Sequence, residues 1–186
     1  MKFLTLSLFC LLAFETLQAN EIKERSEEII RESFNYQTRL EMTKFELPVA
    51  ERNKIEQEVK QKFYRESVYL WRIHQADSLV GYALLDNVYG KSLPITFMVI
   101  YDSKGSMLSV EIVKYRESHG GAVSNRSWLD QFIAGQSNTK EYAIGKNIDG
   151  ISGATISASA ITKGVYKLGL LLSEILTEDR TSITKK

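Results

Sequence analysis

The chain has 186 residues, enough for one ordinary domain but too few for two full ones. Its charge is balanced, with 24 basic and 23 acidic residues, which argues against a nucleic-acid-binding protein because such proteins carry a basic excess. A hydrophobic fraction of 44% is normal for a packed domain, so the composition also argues against intrinsic disorder.

Residues 1–19 differ in composition from the rest of the chain. Lys2 precedes an apolar run from Phe3 to Phe14, and Glu15 interrupts that run. A basic start, a short apolar core and a small residue near the exit are typical of a secretory signal peptide. The run is shorter than the roughly 20 apolar residues that span a bilayer. We therefore expect export to the periplasm, and the alternative is an uncleaved N-terminus that leaves the protein membrane-associated.

Cysteine and histidine usage restricts the chemistry of the exported protein. The only cysteine, Cys10, lies inside the predicted signal peptide. The remaining chain can therefore form no disulfide, no Cys-ligated metal centre and no Cys-x-x-Cys-His haem attachment. Neither His74 nor His119 has a second ligand beside it at metal-binding spacing, so we expect no bound metal. Any redox chemistry must then depend on a cofactor that is held by other means.

The region 20–66 is predicted to be helical. Residues 20 to about 46 are charged and carry a thin apolar stripe, and Pro48 suits the first turn of a second helix. Neither helix contains a chemical motif, so the pattern indicates packing or a spacer from the membrane.

The hydrophobic period changes to two from residue 67 onwards. Strands are predicted at 68–73, 79–85, 94–101 and 107–115. Because the turns between them are short, these strands should form an antiparallel meander. A short helix follows, and a long C-terminal helix is predicted to begin near Gly153 or Ala154. The predicted fold class is α+β, with a main domain at 67–177 and a polar tail at 178–186.

The segment that leads into the C-terminal helix reads DGISGATIS and spans Asp149 to Ser157. Gly150 and Gly153 permit a tight turn and a close approach of ligand to backbone. Thr155 is predicted in the first helical turn, where unpaired N–H groups and the helix dipole favour an anion such as phosphate. The same hydroxyl residues would also suit a plain helix N-cap, so these residues alone leave both interpretations open.

The pattern Asp-x-x-Ser-Gly-Ala-Thr resembles the flavinylation motif of the FMN-binding domain family. That family includes the C subunit of the sodium-translocating NADH:quinone oxidoreductase and the G subunit of the Rnf electron-transport complex. The resemblance implies that FMN is joined to the Thr155 hydroxyl by a phosphoester bond, which a flavin transferase makes from FAD with magnesium. The implied cofactor-binding residues of the motif are Asp149, Gly150, Ser152, Gly153, Ala154, Thr155 and Ser157. Ala158 departs from the family, in which many members have a second hydroxyl at that position.

The resemblance extends over residues 77 to 175, about half of the chain. Glu117, Ser118, His119 and Gly120 occupy a loop near the flavin in which relatives often have Glu-Thr-Pro-Gly, and His119 departs from that pattern. The resemblance therefore implies that this loop also contributes to cofactor binding.

For several aromatic and basic side chains, the sequence is compatible either with cofactor contact or with an ordinary place in the core or on the surface. Aromatic rings stack on flavins but more often fill cores, and surface lysines sometimes hold phosphates. The residues concerned are Tyr82, Tyr89, Trp128, Tyr142, Lys146 and Lys163.

The resemblance implies an electron carrier with no catalytic residues of its own. Its expected partners are a flavin transferase for maturation and membrane or periplasmic redox proteins that donate and accept electrons. The sequence has no Gly-x-Gly-x-x-Gly unit after a strand, so direct hydride uptake from NADH is not expected. The alternatives are a peripheral subunit of an Rnf-like or quinone-reductase-like complex, a flavin-dependent reductase with its own substrate, and a flavin-free binding module.

Overall fold

The computed structural model describes residues 19–134 and 142–184. The predicted signal peptide therefore lies almost entirely outside the described residues. The chain divides into two compact units, Met1–Gln37 and Thr38–Lys186. Within the described part of the chain, each helix is too short or too polar to cross a bilayer.

The described part of the first unit is mainly one helix, α1, over residues 19–33. The helix ends where Asn35 and Tyr36 adopt left-handed backbone conformations, with φ of 57° and 63°. Arg25 and Glu28 form an exposed ion pair on its surface at 2.7 Å. Such an exposed pair contributes little to stability.

The second unit contains a five-stranded antiparallel sheet in which the strands follow their order in the chain. The strands are β1 (Arg39–Glu46), β2 (Ser67–Gln75), β3 (Ser78–Tyr89), β4 (Pro94–Asp102) and β5 (Met107–Lys114). The structure therefore confirms the predicted α+β class and the antiparallel meander.

Strand β1 corrects the prediction that residues 20 to about 46 are helical. It pairs with β2 in antiparallel register, with Leu40 opposite Ile73 and Met42 opposite Trp71. Its side chains are exposed or only half-buried, because β1 is an edge strand with a single neighbour. Charged, mostly exposed residues are common on edge strands and equally common on solvent-facing helices. The sequence pattern therefore did not distinguish the two.

The helices of the second unit are α2 (Val49–Val59), α3 (Arg126–Ala134) and α4 (Thr155–Thr184), and a short 3-10 helix covers Gly121–Ser124. Helix α4 lies close against the sheet at Gly164, where an added Cβ would come within 2.7 Å of Phe97 and 2.9 Å of Val88. Near its other end, Asp179 accepts a hydrogen bond from Tyr82 at 3.1 Å. Because β3 runs from Tyr82 to Val88 while α4 runs from Gly164 to Asp179, the two elements are antiparallel. The N-terminus of α4 consequently lies at the end of the sheet where β3 turns into β4.

The main hydrophobic core lies between α4 and the facing side of the sheet. Leu84 and Val99 of the sheet and Ile161 and Leu168 of α4 are fully buried within it. Burying one such aliphatic side chain contributes about 1.5–3 kcal/mol. This packing fixes α4 on the sheet and thereby fixes the position of its first turn.

A buried ion pair joins α4 to the sheet. The Lys167 ammonium lies 3.0 Å from an Asp86 carboxylate oxygen, and both side chains are almost completely buried. The same ammonium donates to the Lys62 carbonyl at 3.1 Å and lies 4.4 Å from the centroid of the Phe63 ring. Helix α4 is therefore attached both to β3 and to the segment that follows α2.

Candidate functional site

Thr155 is the first residue of α4, and its side chain is exposed. The first backbone bond of the helix runs from the Ala158 N–H to the Ala154 carbonyl at 2.9 Å. The N–H groups of residues 155–157 therefore have no acceptor within the helix. These donors and the positive end of the helix dipole favour an anion beside the Thr155 hydroxyl.

The turn before Thr155 is tight. Gly153 has a φ of +75°, a backbone conformation that side chains with a Cβ rarely adopt. The Ala154 N–H donates to the Ile151 carbonyl at 3.1 Å, and the Ala154 side chain is buried. The small residues of the motif thus let the backbone turn into α4, and Gly150, Ser152 and Gly153 remain exposed.

Helix α3 fixes the beginning of the motif at Asp149. The indole N–H of Trp128 donates to the Asp149 carbonyl at 2.8 Å. The Gln131 amide makes two further bonds: its nitrogen donates to the Asp149 carboxylate at 3.0 Å, and its oxygen accepts from the Asp149 N–H at 2.8 Å. The Asp149 side chain is therefore bonded to the protein. Gln131 was not identified from the sequence, because nothing local to it indicates a partner 18 residues away.

Tyr115 connects the 117–120 loop to the first turn of α4. Its hydroxyl donates to the His119 carbonyl at 2.5 Å and lies 3.4 Å from the Ser157 hydroxyl. Gly120 has a φ of +83°, and a Cβ there would come within 2.7 Å of the Tyr115 hydroxyl and 3.4 Å of the Ala154 Cβ. The structure thus brings the two predicted cofactor-binding segments into contact. Tyr115 was not singled out in the sequence.

Glu117 bonds to the β3–β4 turn. Its carboxylate accepts hydrogen bonds from the N–H groups of Ser92 at 2.8 Å and Leu93 at 3.2 Å. These donors, the Ser92 N–H first among them, lower the pKa of the Glu117 carboxyl below its ordinary value. A Cβ at Gly90 would overlap the same carboxylate. The Glu117 carboxylate therefore joins two loops.

Ser118 and His119 are exposed at the tip of the 117–120 loop. The Ser118 hydroxyl lies 2.9 Å from Nδ1 of the His119 ring. This contact orients the His119 imidazole. The next residue, Gly120, lies beside Ala154.

Tyr82 is separated from Thr155 by most of the length of α4. Its hydroxyl bonds to Asp179, which also forms a two-point ion pair with Arg72. Burial, followed by the Asp179 charge, raises the pKa of Tyr82 to about 12. Asp179 follows Thr155 by 24 residues, or about 36 Å along the helix axis. Tyr82 therefore belongs to the core and to the far end of α4.

The other aromatic and basic candidates have separate environments. Trp128 packs edge-to-face on Phe132 at 5.2 Å, and the Tyr142 hydroxyl donates to the Phe132 carbonyl at 3.0 Å. Burial raises the pKa of Tyr142. Lys146 and Lys163 are exposed. Trp128 and Tyr142 thus belong to the packing that supports Asp149.

Comparison with known protein families gives a match over this part of the chain. Residues 90–168 match the family model described as FMN-binding domain. The chain contains an FMN-binding domain. The matched range includes the 117–120 loop, helix α3, the motif from Asp149 to Ser157 and the first half of α4. A search of curated proteins found no match to this chain.

The residues of the FMN-binding domain fit the cofactor that its family binds. FMN carries a phosphate, and the exposed first turn of α4 offers three backbone N–H donors that have no acceptor within the helix. Among residues 19–134 and 142–184, no cluster of three His, Cys, Asp or Glu side chains is placed to hold a metal ion. The match over residues 90–168 supports FMN as the cofactor and supports a flavin-binding function.

Proposed function

We propose that this protein carries FMN covalently, as a phosphoester on Thr155, and transfers electrons outside the cytoplasm. One observation supports the attachment above all others. Thr155 combines the terminal position of the flavinylation motif with the first position of a helix, and its hydroxyl makes no hydrogen bond to any described residue.

The attachment reaction requires an accessible hydroxyl at Thr155. In that reaction Oγ1 of Thr155 forms a bond to the phosphorus of the FMN half of FAD, and the pyrophosphate bond breaks. AMP leaves, the hydroxyl loses its proton, and no atom changes oxidation state. A flavin transferase must reach Thr155 for this reaction, and the exposed first turn of α4 permits such access.

The residues around Thr155 would hold the phosphate and shape the pocket. The N–H groups of residues 155–157 would donate to the phosphate oxygens. Tyr115 and Gly120 would keep the 117–120 loop against Ala154, and Gln131 would keep Asp149 in place. When bound, FMN supplies the electron-transfer chemistry, and the protein supplies position and electrostatics.

The proposal of an exported carrier depends on the sequence. Residues 1–19 have the composition of a signal peptide, and a covalent bond would keep a flavin on a protein from which free FMN diffuses away. Membrane or periplasmic redox proteins would then donate and accept the electrons. Fractionation of cells followed by sequencing of the mature N-terminus tests this part. A cytoplasmic protein would overturn it, whereas an uncleaved protein in the membrane fraction would favour the subunit of a membrane complex.

The attachment is tested by co-expression with an active flavin transferase. We expect flavin fluorescence in the band of the wild-type protein on a denaturing gel, and a mass increase equal to FMN less one water. Thr155→Val should abolish both, because it keeps the shape of the side chain and removes the hydroxyl. Thr177→Val is the matched control, since Thr177 lies on the same helix 22 residues beyond Thr155. A dark wild-type band, with the transferase active on another substrate, would favour a flavin-free binding module.

A further inference from the structure

The segment 60–66 lies outside the matched FMN-binding domain but packs along α4. The side-chain amide of Gln61 donates to the Ala160 carbonyl at 3.0 Å. The Lys62 carbonyl accepts from the buried Lys167 ammonium, and the buried Phe63 ring lies beneath that same ammonium. These contacts involve the three residues that directly precede Tyr64, so they fix the position of the chain there.

This segment places Tyr64 against Tyr89, the last residue of β3. The two ring centroids lie 5.1 Å apart with an interplanar angle of 47°. The interaction with the Tyr89 side chain, followed by burial, raises the pKa of Tyr64 above its ordinary value. Tyr89 is nevertheless 65% exposed, and Tyr64 is half-buried. Two aromatic rings thus hold each other in place while part of their surface faces solvent.

The Tyr64–Tyr89 pair lies at the same end of the molecule as Thr155. Val88 precedes Tyr89 and lies beside Gly164 of α4, which is nine residues, or about 14 Å along the axis, from Thr155. Strand β3 runs toward the N-terminus of α4, so Tyr89 lies nearer to Thr155 along the axis than Val88 does. The ribityl chain of FMN separates its ring from its phosphate, so a ring tethered at Thr155 must rest some distance from that residue.

A second path of contacts connects the aromatic pair to the attachment site. Gly90 follows Tyr89 and lies against the Glu117 carboxylate. Three residues after Glu117, Gly120 lies against Ala154, the residue before Thr155. The 117–120 loop therefore contacts both the residue after Tyr89 and the residue before Thr155.

We propose that the isoalloxazine ring of FMN on Thr155 lies against the Tyr64–Tyr89 pair, so that the segment 60–66 completes the flavin site. This inference rests on the proposed attachment at Thr155. Aromatic rings favour offset or edge contacts with other planar rings, and the exposed surface of this pair offers such a contact.

The test uses the fluorescence of the flavin-loaded protein. A nearby tyrosine quenches flavin fluorescence because it transfers an electron to the excited flavin, and the electron then returns to the tyrosine. Phenylalanine does not donate an electron in this way. We therefore expect the doubly substituted protein, Tyr64→Phe with Tyr89→Phe, to emit severalfold more strongly than the wild type in its native state. Tyr82→Phe is the control, because the Tyr82 hydroxyl bonds to Asp179 at the far end of α4 from Thr155, and its emission should equal that of the wild type. After denaturation, all three proteins should emit equally per bound flavin.

The outcomes separate this inference from the attachment on which it rests. If the denatured wild-type protein shows no bound flavin, the covalent attachment itself is wrong. If flavin is bound but native emission is the same with and without the two tyrosine hydroxyls, the contact with the pair is wrong. Ring-proton NMR shifts of Tyr64 give a second readout, since they should move between flavin-loaded wild type and Thr155→Val. Unchanged shifts would also overturn the contact.

Discussion

Gly120 lies beside Ala154: a Cβ at Gly120 would come within 3.4 Å of the Ala154 Cβ and within 2.7 Å of the Tyr115 hydroxyl. This contact joins two segments separated by more than 30 residues in the chain. One is the loop that resembles Glu-Thr-Pro-Gly, and the other is the turn that precedes Thr155. The candidate site therefore includes a close approach between the 117–120 loop and the turn before Thr155.

Gly120→Ala should destabilise the protein and lower the yield of flavin attachment. The φ of +83° is strained for alanine, and the added methyl would also displace Tyr115. We expect a loss of about 1–3 kcal/mol in the free energy of unfolding. Urea denaturation and gel fluorescence measure the two effects. Gly121→Ala is the control, because its Cβ would meet no atom within 4 Å. Equal losses for both variants would contradict the proposed close approach.

Gln131→Ala should loosen the start of the motif. The substitution removes both hydrogen bonds that the Gln131 amide makes with Asp149, and each such bond contributes roughly 0.5–1.5 kcal/mol. We expect faster hydrogen exchange at the Asp149 amide and less flavin attachment. If the Asp149 amide of the variant exchanges hydrogen at the wild-type rate, the Trp128 hydrogen bond alone is enough to fix this residue.

Glu117→Gln should reduce stability at neutral pH more than at acid pH. The folded-state pKa of Glu117 is lowered, so its stabilising effect is present above the pKa of the unfolded state. That effect is lost as the pH falls through the lowered folded-state pKa. Denaturation of both proteins between neutral and acid pH should therefore show a difference that shrinks on acidification. A constant difference would show that charge at Glu117 is not involved.

Lys167→Met should be strongly destabilising, by about 3–5 kcal/mol, because it leaves the buried Asp86 carboxylate without its counter-charge. Adding Asp86→Leu should restore much of the lost stability, since the pair is then replaced by apolar groups. Thermal or urea denaturation of the single and double variants measures this coupling. Additive losses in the double variant would contradict an ion pair between the two side chains.

Much of the second unit followed from local sequence patterns. Alternating apolar residues predicted most of the strands, a nearly continuous apolar run predicted β4, and the helical spacing of Ile161, Val165 and Leu168 predicted α4. The short turns predicted the meander. These features depend on residues close together in the chain, so the sequence contains the information needed to predict them.

The motif from Asp149 to Ser157 was also recognisable from the sequence alone. Its glycines, its small residues and Thr155 before a helical pattern suited either an anion site or a plain helix N-cap, and the family resemblance favoured FMN. The match over residues 90–168 supports that cofactor.

Tertiary structure decided the features that depend on contacts between distant segments. It made residues 39–46 an edge strand. It hydrogen-bonded Asp149 to Gln131 and placed Tyr82 at the far end of α4. It also brought Tyr64 beside Tyr89. The sequence determined which segments form helices and strands, because local periodicity is set by neighbouring residues. Sheet register and helix packing determined which side chains meet, because those contacts join residues that no local pattern relates.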